Sequence, residues 1–224
     1  MYVALHYELF QKHGLDPQFL IVGGGSLPEQ SLVAGEVQFT SNAASTEVVA
    51  IHQGLPLKIF AHMVSGSTMT VVSSPELAEQ IGIHVDMPLD VKLQKIADYA
   101  KKTPLTWGVT NPSSASYIDA IHFIQEMGLT PGKEIKIVAL ENFSNIAAAI
   151  SNRSIDLGYL FPPMDRQVYN ENAAVPLIRQ GTEVEMHRLK PNTVVSASTK
   201  FMEENPDVVR KFAAAMAEAN DLAK

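Results

Sequence analysis

Phe10-Gln11-Lys12-His13-Gly14-Leu15-Asp16-Pro17 recurs as Ile124-Gln125-Glu126-Met127-Gly128-Leu129-Thr130-Pro131, with four of the eight residues identical at an offset of 114. Each copy reads as the end of a helix. Gly14 and Gly128 stand where a left-handed C-cap is needed, and the proline that follows cannot extend the helix. Downstream the copies keep step with small slips: Phe19-Leu20-Ile21-Val22 falls on Ile135-Lys136-Ile137-Val138, and Val37-Gln38-Phe39 on Ile155-Asp156-Leu157. A helix, Gly-Leu-x-Pro, a strand, a helix and a strand therefore occur twice, the pattern of a duplicated α/β unit.

Working outward, Val3, His6, Tyr7 and Phe10 at helical spacing predict a helix over 2–13 that stops at Gly14. The run Phe19–Val22 reads as a buried strand entering the turn Gly23-Gly24-Gly25. A helix over 28–34, a strand over 37–40, a helix over 46–53 and a strand over 57–61 follow. The second copy predicts a helix over 114–127, a strand over 135–140, a helix over 144–151 and a strand over 155–160. Between the copies lie a strand at Thr70-Val71-Val72, a helix marked by Leu89, Leu93, Ile96, Ala97 and Ala100, and a strand at Trp107-Gly108-Val109. After them come a strand at Thr193–Ser196 and a helix over 206–223. Alternating helices and strands imply sheets that are mostly parallel and flanked by helices. Two copies imply two lobes. The chain would cross near Thr70 and return near Asn192, which gives a discontinuous first lobe (1–70 with 192–224), a second lobe (71–191) and two crossings able to act as a hinge beside a cleft.

Composition narrows the function. The 17 Lys and Arg against 24 Asp and Glu give a formal charge of −7, so bulk electrostatics suggest neither nucleic acid nor an anionic membrane as partner. With no cysteine, disulfides, thiolate zinc sites and cysteine nucleophiles are excluded. No apolar run reaches the length of a membrane span, and Met1-Tyr2-Val3-Ala4 lacks the basic and apolar segments of a secretory signal. The sequence holds no His-Glu-x-x-His, no phosphate loop, no Gly-x-Ser-x-Gly and no Gly-x-Gly-x-x-Gly. His6 and His13 are two helical turns apart, where a shared metal needs one. No catalytic residue, metal or cofactor is expected.

Polar loops at strand ends are the remaining candidates, because ligands of open parallel sheets bind beyond the carboxyl ends of strands, against helix N-termini. Four segments qualify: Thr40–Ser45, Ser65–Thr68, Thr110–Ser116 and Glu141–Phe143. Ser, Thr and Asn are also the usual helix caps, so each segment has a purely structural reading beside the functional one. Phe161-Pro162-Pro163-Met164-Asp165 is a rigid aromatic loop that either walls a pocket or breaks a strand. None of these loops carries Arg or Lys, so an anion would have to be held by helix N-termini and hydroxyls, and a strongly charged ligand is disfavoured.

Tyr2-Val3-Ala4, Lys12-His13-Gly14-Leu15, Leu32-Val33-Ala34-Gly35-Glu36-Val37, Gln53-Gly54-Leu55-Pro56-Leu57-Lys58 and Gly128-Leu129, in this order and spacing, resemble the nitrate/sulfonate/taurine-type substrate-binding proteins of ABC transporters and the related thiamine-pyrimidine binding proteins. The resemblance covers nearly the whole chain. It implies a type II periplasmic-binding fold, a small organic solute (a sulfonate, carboxylate or pyrimidine) held between the lobes, hinge closure, delivery to a membrane permease, and a periplasmic or extracellular membrane-associated location for a monomer. Carried over by position, Ser41, Asn42, Ala43, Gly66, Ser67, Asn111, Ser113 and Ser114 face the ligand, with Asn142 and Phe161 beside them. Family members begin with a strand leading into Pro-x-Tyr, whereas this chain opens on the helix, so the resemblance implies a shortened N-terminus. Two further classes share the scaffold. A thiamine-pyrimidine synthase requires a cysteine-rich iron site, and an effector-sensing regulator domain requires a DNA-binding helix pair; neither feature is in the sequence.

Overall fold

The computed structural model describes residues 1–21 and 26–222. The chain divides into two compact units, Met1–Val64 with Thr193–Lys224, and Ser65–Asn192.

The first helix is broken where one was expected over 2–13. α1 (Tyr2–His6) and α2 (Leu9–Lys12) are separated at Glu8, whose φ is 53°. The break changes the buried face from the expected Val3, His6, Tyr7 and Phe10 to Ala4, Leu9 and Phe10, while Tyr7 stays exposed. Gly14 takes the expected left-handed conformation, φ 73°. Its N–H donates to Gln11 O and that of Leu15 to Phe10 O. Gly128, at φ 66°, repeats this, with bonds to Gln125 O and from Leu129 to Ile124 O. The repeated octapeptide is thus one helix-stop geometry used twice.

Phe19, Leu20 and Ile21 do not form the expected strand and are exposed; Val22 and the triple glycine lie outside the described residues. α3 (Leu27–Ala34) is followed by β1 (Thr40–Ala43), three residues later than the strand expected over 37–40. Phe39 instead packs on Phe60 and Phe212 at ring distances of 5.6 and 4.2 Å. α4 (Ala44–His52) leads to β2 (Leu57–Ser65).

In the second unit β3 (Thr70–Ser73) runs into α5 (Pro75–Ile81), capped by Ser74 and stopped by Gly82. α6 (Leu89–Ala100), β4 (Leu105–Val109), α7 (Ala115–Glu126), β5 (Ile135–Ala139), α8 (Phe143–Ser151), β6 (Leu157–Leu160), α9 (Met164–Asn170) and β7 (Val175–Arg179) follow. The sheet order is β5-β4-β6-β3-β7. β4 is parallel to β5 and β6, whereas β3 is antiparallel to both β6 and β7. Four strands therefore share one direction, and β3 alone opposes them. Trp107, Tyr159, Phe123 and Ile96, all fully buried, form the centre of this unit's core. Gly158 lets α8 close onto the sheet, since a Cβ there would stand 2.7 Å from Ile146 Cγ2.

Two short helices, α10 (Gln180–Glu183) and α11 (Glu185–Leu189), precede β8 (Pro191–Ser198), which returns the chain to the first unit. There β8 is the middle strand of β1-β8-β2, antiparallel to β1 with Thr40 opposite Ser196. α12 (Thr199–Glu204) and α13 (Pro206–Leu222) end the description; Ala223, expected in the last helix, lies beyond it. α13 buries Phe212, Ala215, Met216 and Ala219, an i, i+3, i+4, i+7 stripe, against α1 and α2.

Candidate functional site

Strand direction decides where the candidates of the second unit lie. β4, β5 and β6 are mutually parallel, so the segments after Val109, Ala139 and Leu160 leave the same end of the sheet. β3 is antiparallel with Thr70 opposite Leu160, so Gly66 and Ser67, which precede it, reach that end as well. All seven candidates of this unit are gathered there: Gly66, Ser67, Asn111, Ser113, Ser114, Asn142 and Phe161. Glu141 N–H donates to Thr110 O at 2.7 Å, joining two of the loops. Phe143 meets Phe161 edge-on at 4.8 Å, joining a third.

Within this group the side chains differ in what they have left to offer. Ser114 caps α7, accepting from Tyr117 N, and donates to Asn111 O at 2.7 Å. Asn142 caps α8 by accepting from Asn145 N at 2.9 Å. For these two the capping role is real. Ser113 is exposed, and its N–H and hydroxyl both donate to Asn111 Oδ1 at 3.1 Å. Gly66, at φ 73°, lies so close to Arg188 O that a Cβ would stand 2.9 Å away. Its N–H donates to Lys190 O, and that of Ser67 to His187 O.

Beneath Ser67 lies a buried polar chain that the sequence did not single out. Ser67 Oγ donates to Gln180 Oε1 at 2.7 Å, and Gln180 Nε2 to Asp119 Oδ2 at 3.3 Å. Lys190 Nζ reaches Asp119 Oδ1 at 3.4 Å, and His187 Nδ1 stands 3.9 Å from Oδ2. Burial holds the His187 imidazole below its ordinary pKa despite the opposing pull of Asp119, so the ring is neutral at pH 7. It stacks on Phe123 at 6.2 Å. Asp119 lies on α7, the helix capped by Ser114, so one network positions both the Ser67 and the Asn111–Ser114 segments. An open depression of about 340 Å³ runs beside edge strand β5 but takes only Pro112 from the candidate loops, and it is not this site.

In the first unit the expected loop over 40–45 is instead β1 and the start of α4, because Thr40–Ala43 pair with Ser196–Thr193. Alternation along the strand then splits the candidates. Ser41 is exposed and donates to Met63 Sδ at 3.4 Å, while Asn42 Nδ2 donates to Glu29 Oε1 at 2.8 Å. Ala43 is the N-cap residue of α4. Thr40, on the face of Asn42, donates to Glu47 Oε1 at 3.2 Å. Glu29 and Glu47, neither of them singled out in the sequence, are both 0% exposed.

Burial pushes the Glu47 carboxyl up to about 7; Ser196 and Thr40 oppose this, and the charge of Glu29 adds to it. Burial raises Glu29 as well. An unfolded carboxyl ionises near 4.5, so between that pH and about 7 the unfolded chain loses a proton that folded Glu47 keeps. Stability present below 4.5 is therefore lost as pH rises to about 7, by an amount on the order of 3 kcal/mol. Urea unfolding followed against pH is expected to show this fall in the wild type and a flatter profile in Glu47→Gln. A rise in stability with pH below about 4.5, abolished by that substitution, would show the carboxylate to be paired instead.

The whole chain, residues 1–224, matches the NMT1-like family, and the protein belongs to it. Its fold is that of periplasmic binding proteins. It is similar to the periplasmic nitrate-binding protein NrtA from Synechocystis PCC 6803 (TM-score 0.76, 14% identity, 97% of this chain and 56% of that one). It is also similar to the periplasmic aliphatic sulphonate binding protein SsuA from Escherichia coli (0.71, 15%, 98% and 64%). A third similar structure is a binding protein component of an ABC phosphonate transporter from Pseudomonas aeruginosa (0.64, 14%, 93% and 66%). The chain thus spans about two thirds or less of the length of each. No curated protein matches the sequence.

Proposed function

We propose that the chain is the substrate-binding component of an ABC-type importer, which captures a small organic solute and delivers it to a membrane permease from a periplasmic or extracellular membrane-associated position. The gathering of seven mostly polar, uncharged candidates at one end of the second unit's sheet carries this reading. In open α/β sheets that end is where solutes bind. The similar structures named above, which bind nitrate or aliphatic sulphonates or serve phosphonate import, support it.

Under this reading Ser41, Asn42 and Ala43 of the first unit, and Gly66, Ser67, Asn111, Ser113, Ser114, Asn142 and Phe161 of the second, meet the solute. The two crossings, near Thr70 and near Asn192, act as the hinge. Among the described residues no helix is long and apolar enough to cross a membrane. Binding involves no chemistry, only differential contact in a closed state. A thermal-shift screen of sulfonates, carboxylates and pyrimidines is expected to find a solute that stabilises the chain by about 2.7 kcal/mol at a hundredfold excess over its Kd. X-ray scattering with that solute is expected to show a smaller radius of gyration. A bound solute that leaves the radius unchanged, or a screen with no binder, would sink the proposal.

A further inference from the structure

Two short stretches of chain meet where it enters and where it leaves the second unit. The N–H groups of Gly66 and Ser67 donate to Lys190 O and His187 O at 3.0 and 2.9 Å. His187 belongs to α11 and Lys190 follows it directly. Ser67 is a candidate site residue, so whatever holds α11 in place also holds that part of the site.

α11 is anchored by one side chain. Of its five residues only His187 is buried, while Met186 and Leu189 are 55% and 75% exposed. That anchor is titratable. The imidazole is 0% exposed, stacks on Phe123, and leaves both Nδ1 and Nε2 without a hydrogen-bond partner. A leucine or phenylalanine would pack there without any polar penalty, whereas unbonded ring nitrogens away from water are destabilising.

The neighbours decide which charge state fits. Facing the ring are Asp119 and His122 of α7 and Lys190; burial, Lys190 and His122 oppose a proton on it, and Asp119 alone favours one. Tyr159 of β6, whose buried hydroxyl also lacks a partner, stands near the same Asp119. Asp119 is already engaged: Lys190 Nζ is 3.4 Å from Oδ1, and Gln180 Nε2 donates to Oδ2. His187 Nδ1 lies 3.9 Å from Oδ2, beyond hydrogen-bond reach. The docked helix therefore holds a neutral ring. A proton is accommodated by bringing the ring to water, and α11 has no other buried side chain to keep it docked when that happens.

We propose that His187 is an acid-sensitive latch, whose protonation undocks α11 and frees the Gly66 and Ser67 amides where the chain enters the second unit. Its consequence for a solute, weaker retention at acid pH through a loosened Ser67, rests on the solute-binding reading above; the latch itself does not. The docked ring lies below the ordinary imidazole value of 6.5, to which the undocked ring returns. Docking is thus fully favoured above pH 6.5 and weakens as pH falls toward the docked value, by at most about tenfold per pH unit.

The test is hydrogen exchange of the unaltered, solute-free chain at about pH 7.5 and about pH 5.5, corrected for the intrinsic pH dependence of exchange. Protection of the Gly66 and Ser67 amides is expected to fall by about threefold to tenfold at the lower pH, while the amides of β4 keep theirs. His187→Phe, which keeps a flat ring against Phe123 and does not titrate, is expected to abolish the fall. The unaltered chain decides even where that variant folds poorly. Protection of Gly66 and Ser67 that does not change with pH overturns the latch, and so does an equal fall in β4, which would mean unfolding of the whole unit. A fall that persists in folded His187→Phe overturns it as well, by assigning the effect to another group. A solute screen without a binder would remove the solute-binding reading and leave these outcomes as they stand.

Discussion

Replacing Trp107 by alanine is expected to lower the stability of the 65–192 unit by about 3–5 kcal/mol. Trp107 is fully buried on β4, between Tyr159 at 5.5 Å and Phe123 at 6.2 Å. Removing the indole leaves a void walled by two rings that are themselves fully buried, so collapse around it is limited. Trp107 Nε1 has no hydrogen-bond partner, which makes a second expectation definite. Phenylalanine at the same position gives up no bond, fills part of the space, and is expected to lose no more than about half as much. Urea unfolding is best followed by circular dichroism, because this is the chain's one tryptophan and either substitution removes the fluorescence signal. Equal losses for Trp107→Phe and Trp107→Ala would mean that Nε1 makes a bond that matters.

The reach of the sequence follows the same physics. Helix stops were legible because a left-handed residue is a local demand, met by Gly14 and Gly128 alike. β3, β4 and β6 of the second unit were legible because their burial is nearly continuous. β1 was not: the apolar Val37 and Phe39 look like a strand, but pairing with β8 selects Thr40–Ala43 and sends Phe39 into an aromatic cluster. β7 was hidden by Pro176, which sits on an edge strand beside that strand's own bulge, where Leu177 is skipped between the pairs Val71–Ile178 and Val72–Pro176.

The site shows a sharper limit. Its outer residues, Ser67, Asn111 and Ser114, announce themselves as polar loops after strands. The groups that orient them do not. Asp119, Gln180, His187 and Lys190 come together only through tertiary contacts, with Gln180 and Lys190 61 and 71 residues from their common partner. In the sequence, isolated polar residues of this kind read as surface. Glu29 and Glu47 sit in first helical turns, where an acid is already explained by the helix dipole. Both pack behind β1, whose pairing with β8 joins residues 150 to 156 positions apart.

Lys92 and Glu183 show how the hidden layer is held. Lys92, on α6, is fully buried; its Nζ donates to Val85 O and to Glu183 on α10. Glu183 is 18% exposed and also accepts from Arg179 N at 2.9 Å. α10 is the four-residue helix that presents Gln180 to Ser67, so this ion pair anchors the polar chain beneath the candidate site. The two halves of the pair are not equivalent. Glu183→Ala leaves a fully buried ammonium with only Val85 O as partner, and is expected to cost about 3–5 kcal/mol. Lys92→Met keeps most of the buried stem and strands a carboxylate that still touches solvent, and is expected to cost about half as much. Trp107 fluorescence in urea reports both, and Lys92→Met combined with Glu183→Ala should recover part of the larger loss because no charge is then left unpaired. If Lys92→Met proved the costlier single change, the packing of the lysine stem, rather than its charge, would be what holds α6 to α10.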